Sequence, residues 1–177
     1  MTSERCLPRI TIRLVPYADE YRALTEALEC NPETMRELGG PVDPADIPRV
    51  HRMRVETVAR GEWYFVIVPD PPGLPAGTIG IWKSKFREQP IHEIGWMVLP
   101  EFQGRGIATD ALRMIVERAR SDPRFDRIHA FPAISNAPSN ALCRRAGFTH
   151  TEECDVRFRD RPLRVNHWML DVRTPLT

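Results

Sequence analysis

Residues 91–112 read IHEIGWMVLPEFQGRGIATDAL. The first part, His92 to Leu99, is almost uniformly apolar apart from His92 and Glu93, the pattern of a central strand covered on both faces. Two glycines, Gly104 and Gly106, then stand ahead of a run in which Ile107, Ala108, Ala111, Leu112, Ile115, Val116 and Ala119 recur at helical spacing. Arg113, Arg118 and Arg120 fall on the other, solvated side. A strand that passes through a glycine-bearing turn into a helix is a way to hold an anion. The first helical turn has unpaired N–H groups and the positive end of the dipole. Glycine lets those amides approach phosphate oxygens directly. The loop from Gln103 through Gly104, Arg105, Gly106, Ile107 and Ala108 to Thr109 therefore reads either as a pyrophosphate cradle or as an ordinary turn whose glycines relieve packing. A nucleotide-hydrolase loop would need Gly-Lys-Ser/Thr where Gly106-Ile107-Ala108 stands, and a dinucleotide fingerprint would need a third glycine after an early strand. Neither fits.

Working outward, Ile10–Val15 alternates and ends at Pro16, as a strand does. Ala18–Glu29 carries Tyr21, Leu24 and Leu28 at helical spacing. After the loop ELGGPVDPAD, Asp43 and Pro44 look like an N-cap and first helical residue. The helix that follows shows Ile47, Val50, Val55 and Val58 on one face, and Gly61 stops it. Trp63–Val68 is a buried strand, and GTIGIWK pairs with it as a hairpin after the proline loop VPDPPGLPAG. RIHAFPA is a short strand. Pro138 opens a further helix that closes at Gly147. Phe148 begins another strand, and RVNHWMLDV is the last. SDPRF, KFREQP and DRPLR mark breaks. The order is strand, two helices, three strands, helix, strand, helix, two strands. That implies a mixed α/β fold with one sheet of about seven strands and about four helices, a single domain over residues 1–177.

The 177 residues suffice for one core. A formal net charge of +1 gives no field for nucleic acid or for a membrane surface, and no apolar run approaches the roughly 20 residues a membrane helix needs. The N-terminal MTSERCLPR lacks a signal-peptide core. Cys6, Cys30, Cys143 and Cys154 show no metal-like spacing and read as free thiols of a cytoplasmic protein, with no metal.

The run Gln103–Ala108 resembles the Gln/Arg-x-x-Gly-x-Gly/Ala signature of the GNAT N-acetyltransferase superfamily. IHEIGWMVLPEFQGRGIATDAL resembles that superfamily's central strand, loop and helix. NAPSNALCRRAGFT, residues 136–149, resembles its second cofactor segment. Within the superfamily the chain is most similar to the RimJ/RimL-like branch of ribosomal-protein N-terminal acetyltransferases, where Asn-x-x-Ser precedes Gly-Phe. The resemblance implies acetyl-CoA as acetyl donor, with the amides of Gly104 to Thr109 on its pyrophosphate. It implies a central strand that splays so that Met97, Val98 and Leu99 offer backbone groups to the pantetheine arm and thioester carbonyl. An amide such as that of Val98 would stabilise the oxyanion. Asn136, with Asn140 as a weaker candidate, corresponds to a pantetheine contact, and Ser139 to the group that protonates the leaving thiolate. Where many relatives carry a tyrosine acid this chain has Cys143, which can pack or donate.

The nucleophile must be a neutral amine, so its proton needs an acceptor. Glu93 lies about ten residues before Gln103, where some members of the superfamily place a catalytic glutamate. It is a general base, or a structural glutamate paired to a backbone amide or an arginine. His92 reads as a surface histidine. His167 faces the acceptor or packs in the core. Trp63, Trp82 and Trp96 wall an acceptor site or are core. His51 and Arg54 meet an acidic acceptor or are solvated. The resulting expectation is direct acetyl transfer in a ternary complex to a small-molecule or protein N-terminal amine, with a homodimer possible. The alternative is a non-catalytic acyl-CoA-binding module that acts through a protein partner.

Overall fold

The alternating and glycine-punctuated segments form seven strands and five helices in a computed structural model that describes residues 10–70 and 73–173. In chain order they are β1 (Thr11–Pro16), α1 (Arg22–Glu29), α2 (Pro32–Met35), α3 (Ile47–Ala59), β2 (Trp63–Asp70), β3 (Gly77–Phe86), β4 (Gln89–Val98), α4 (Ile107–Arg120), β5 (Arg127–Ala130), α5 (Ala137–Arg145), β6 (Thr149–Phe158) and β7 (Arg161–Asp171). The stretch MTSERCLPR with Cys6, and Pro71 and Pro72 of the proline loop, lie outside the described residues.

The strands join one sheet in the order β1-β2-β3-β4-β5-β7-β6, antiparallel except where β4 meets β5. β4 is its middle strand, as the apolar run implies. One face packs against α4 and α5 through Ile94, Val98, Ile107, Leu112, Ile115, Leu142 and Phe148. The other packs against α1 and α3 through Tyr17, Leu24, Leu28, Val66 and Val68. All but one of the expected residues of the α4 stripe are buried, and Ala108 is half-buried. Each large aliphatic in it contributes about 1.5–3 kcal/mol.

Three local expectations needed correction. The first helix starts later, at Arg22, after a 3-10 turn over Asp19–Tyr21. The extra helix, α2, is a single turn that begins where Asn31 accepts from the N–H of Glu33 and Thr34, with Pro32 in its first turn. The inward face of α3 is not simply apolar, because His51 and Arg54 lie buried on it beside Ile47 and Val50. Asp43 does cap, accepting from the N–H of Ala45, but the turn it caps is a 3-10 turn that leads into α3.

Candidate active site

Beyond Glu93 the middle of the sheet opens. β4 and β5 share only two register pairs, His92 with Ile128 and Glu93 with His129. β5 is paired with β7 throughout, and after Ala130 the chain stays with β7 and leaves β4. Asn166 N–H donates to Pro132 O (2.9 Å) and Ile134 N–H to Arg164 O (3.1 Å). The remaining half of β4 thus has a strand neighbour on one side only. Leu99 N–H donates to Ala76 O on the β3 side (2.9 Å). Because backbone groups alternate along a strand, the N–H and C=O of Val98, and of Trp96 two residues earlier, face the opening. The Val98 carbonyl accepts from Gln103 Nε2 (2.9 Å), which braces the loop against the strand end. Its N–H is directed into the gap.

α4 begins on one side of this gap. Gly104 and Gly106 adopt left-handed backbone with φ of +70° and +77°. A Cβ built at either would meet nothing within 4 Å. Packing relief therefore does not explain these glycines; the backbone turn does, and the space beside them is open. Gly106 is the N-cap position and no side chain caps the helix. The first intrahelical bond is Asp110 N–H to Gly106 O (3.0 Å). The N–H groups of Ile107, Ala108 and Thr109 precede it and have no carbonyl within the helix. Three amides, a dipole end and no carboxylate cap make a site that suits a phosphate.

α5 begins on the other side. Its first turn carries Ser139, half-buried, while Asn136 accepts from Ser139 N–H (3.1 Å) and so caps the helix. Asn140 is fully engaged inside the protein. Its Nδ2 donates to Ala133 O (2.9 Å) and Asn136 O (2.8 Å), and its Oδ1 accepts from Asn166 Nδ2 (2.8 Å) and Trp168 Nε1 (2.9 Å). This brace holds β7, the start of α5 and the segment between in one unit, a duty the sequence reading did not assign. Cys143 is fully buried in the core, and burial pushes its thiol up to about 12. It packs.

On the sheet face opposite α4, Glu93 stands half-buried between Trp82 of β3 and His129 of β5. Burial raises its carboxyl above the ordinary range, and a hydrogen bond with Ser84 pulls weakly the other way. Among the described residues it is paired neither to an arginine nor to a backbone amide, the two partners a structural glutamate was expected to have. The Trp82 indole lies across β4 at Gly95, where an added Cβ would come within 2.7 Å of it. Trp82 is thus the tryptophan on the Glu93 face; Trp63 and Trp96 pack toward α4. His167 is buried, stacked on Phe131 with ring centroids 4.8 Å apart and against Phe86 at 4.7 Å.

Other candidates prove structural. His92 is half-buried edge-on to Phe125, its pKa lowered mainly by burial, rather than exposed. His51 and Arg54 are buried rather than solvated. His51 bonds Tyr17 Oη (2.7 Å) and Asp19 (2.9 Å), and Arg54 pairs with the buried Glu29 and bonds Thr25 (2.9 Å). No group of three or more His, Cys, Asp or Glu that could hold a metal occurs among the described residues, and no described helix is long and apolar enough to cross a membrane.

Comparison with known proteins gives the site its context. Residues 9–149 match the family model for the acetyltransferase (GNAT) domain. A Bacillus subtilis protein named "Putative ribosomal N-acetyltransferase YdaF" is 36% identical over 56 residues, which cover 32% of this chain and 31% of that protein. The spermidine N-acetyltransferase of Vibrio cholerae, solved with CoA and spermine, superposes with a TM-score of 0.73 at 15% identity, covering 93% of this chain and 96% of that one. The Salmonella typhimurium acetyltransferase that modifies the N-terminal serine of ribosomal protein L7/L12 superposes with a TM-score of 0.73 at 18% identity, covering 91% and 95%.

Proposed function

The chain belongs to the acetyltransferase (GNAT) family and draws its acetyl group from acetyl-CoA, and on that premise we propose that the opening between β4 and β5 is where the thioester meets a small primary amine. The observation that carries this reading is the departure of β5 from β4 after Glu93, which leaves backbone amides unpaired between two helix N-termini.

The chain's own groups divide the work. The amides of Ile107, Ala108 and Thr109 hold the pyrophosphate, with Gly104 and Gly106 shaping the turn, Arg105 exposed on it and Gln103 tying it to β4. Met97, Val98 and Leu99 line the pantetheine path. Val98 N–H, aimed into the gap, stabilises the carbonyl oxygen as negative charge develops there. Ser139, across the gap, returns a proton to the departing thiolate. Asn136 orders α5 so that Ser139 is in place, and Asn140 acts by bracing rather than by touching the donor. Glu93, its pKa raised by burial, takes the proton from the acceptor ammonium. Five residue steps, about 16 Å of backbone, separate Glu93 from Val98, so that proton reaches Glu93 through solvent. The face around Glu93, with the rings of Trp82, Phe86 and Phe131, suits an amine carried on an apolar or cationic body. A protein N-terminal amine is a second reading, favoured by the name of the Bacillus subtilis relative. The free thiols of Cys30, Cys143 and Cys154 support a reducing, cytoplasmic setting.

The experiment is thiol release from acetyl-CoA with spermidine, kanamycin, amino acids and a peptide bearing a free N-terminal serine, at several pH values. Release with a small amine, rising with pH along a limb above the ordinary glutamate range, is expected. Ser139→Ala is expected to lower kcat roughly 100-fold while acetyl-CoA still binds. Release with the peptide alone shifts the acceptor to a protein N-terminus. Tight acetyl-CoA binding without release from any amine points instead to an acyl-CoA-binding module.

A further inference from the structure

Two histidines that the mechanism above does not use lead away from Glu93, the first opposite it on β5 and the second hydrogen-bonded to the first from β7. His129 sits directly opposite Glu93 in the β4–β5 register, so the two side chains leave the same face of the sheet from backbones about 4.8 Å apart. His129 Nδ1 and His167 Nε2 are 2.8 Å apart and share a hydrogen. The far nitrogen of His167, Nδ1, is buried with no hydrogen-bond partner. Glu152 Oε1 lies 4.0 Å from it. Glu152 in turn reaches Arg87 at the protein's edge (2.6 Å).

We propose that His129 and His167 form a two-imidazole relay that carries the proton taken up by Glu93 out to Glu152. The proposal rests on Glu93 being the base. A histidine kept only for packing would be an odd choice at position 167. Clamped between Phe86 and Phe131, the site would accept a third phenyl ring and leave no orphaned nitrogen. The imidazole there is explained by its Nε2 bond to His129 and by an Nδ1 that looks toward the Glu152 carboxylate.

The surroundings of both rings favour the neutral form a relay needs. Burial first, then the neighbouring His167, Arg127 and His92, hold His129 down to about 4. Burial likewise lowers His167, with Arg87 and His150 acting in the same direction and Glu152 against it. From β4, Glu93 faces the pair as a carboxyl whose own pKa is raised. Neutral imidazole has one donor and one acceptor nitrogen, so each ring can take a proton on one side and give one up on the other. Protonated Glu93 gives its hydrogen to His129 Nε2 as His129 Nδ1–H passes to His167 Nε2 and His167 Nδ1–H passes to the Glu152 carboxylate, which releases it to water. Four bonds to hydrogen break and four form, with one proton delivered to solvent, and rotation of the two rings restores their starting tautomers before the next turnover. His129 and His167 act through Glu93 and are positioning residues.

The test compares wild type with Glu93→Gln, His129→Ala and His167→Phe, assayed with whichever amine of the panel above releases thiol fastest. His167→Phe keeps the stack and removes the relay. The expected result is a tenfold or greater loss of kcat in all three variants and an unchanged KM for acetyl-CoA. The acid limb of the kcat profile should be altered in the histidine variants, and added imidazole should partly restore His129→Ala. Wild-type kcat and pH profile in His167→Phe, with Glu93→Gln impaired, overturns the relay and leaves the base assignment standing. Wild-type turnover in Glu93→Gln overturns both. Long-range 1H–15N spectra of the wild-type protein read the pair without any acceptor. Two neutral rings at pH 7 joined by one N–H···N bond and titrating together support the relay, and two independently titrating rings overturn it.

Discussion

Two strand–turn–helix units stand side by side across the opening in the sheet, β4 into α4 and β5 into α5, and they treat the helix N-terminus in opposite ways. α4 starts on Gly106 with no side-chain cap and three amides without helical acceptors. α5 starts on Asn136, whose side chain takes up the Ser139 amide, with Pro138 supplying a residue that needs no partner. An uncapped helix is less stable than a capped one by about 1 kcal/mol. The unit that forgoes the cap leaves room for an anion from outside. The unit that keeps it uses the helix to fix a side chain, Ser139, across the gap. The difference separates holding the donor from positioning the chemistry.

The largest effect that could break this contrast is at Gly106. Gly106→Val places a branched side chain in the open space beside the amides and at φ +77°. It is expected to raise the Kd for acetyl-CoA roughly 100-fold, about 2.7 kcal/mol, measured by titration calorimetry, and to cost about 1–2 kcal/mol of stability from backbone strain. A wild-type Kd would mean that the α4 terminus is not the cradle.

Asn140→Ala probes the other unit. It strands the Trp168 N–H and the Asn166 amide, at about 1–3 kcal/mol for each buried group left unsatisfied, while the Ala133 carbonyl keeps the Asn136 N–H. A fall in denaturation midpoint, with the Kd for acetyl-CoA within about threefold of wild type, fits a brace. Preserved stability with lost binding would make Asn140 a donor contact after all.

Much of this was legible in the sequence, for reasons that vary by residue. The α4 stripe and the apolar β4 run could be read because burial on a regular element leaves a period. Gly61, Gly104, Gly106 and Gly147 could be read because a left-handed turn selects glycine, and all four have positive φ. The hairpin tips show the converse. Arg87-Glu88 and Arg159-Asp160 turn with φ of 49° and 62° and contain no glycine or asparagine. KFREQP and DRPLR announced a break but not a two-residue turn with strands running to its edges. Arg159 is tied to Glu29 across the fold (2.7 Å), a distant contact that spacing does not encode. The buried polar network of Tyr17, Thr25, Glu29, His51 and Arg54 was illegible for the same reason, since charged residues on a helix normally signal solvent. At the candidate site, the cradle was carried by glycine chemistry. The His129–His167 contact depends on β5 lying between β4 and β7, a fact of topology that no local pattern records.

The smallest effect bears hardest on the contrast. Asn136 is at once the α5 cap and the residue that the family resemblance sets against the pantetheine arm. Its side-chain oxygen already accepts from Ser139 N–H at 3.1 Å, and a cap of this kind contributes about 1 kcal/mol. Asn136→Ala is therefore expected to lower the Tm by about 2–4 °C, with the Kd for acetyl-CoA nearly unchanged and kcat reduced severalfold as Ser139 loses its anchorage. Asn136→Asp keeps an acceptor at the cap and adds a negative charge at the helix N-terminus, which the dipole favours. It should restore Tm and kcat together. If both variants instead weaken acetyl-CoA binding while Tm holds, the Asn136 amide faces the donor, and the two helix termini are two halves of one binding site rather than a cradle and a scaffold.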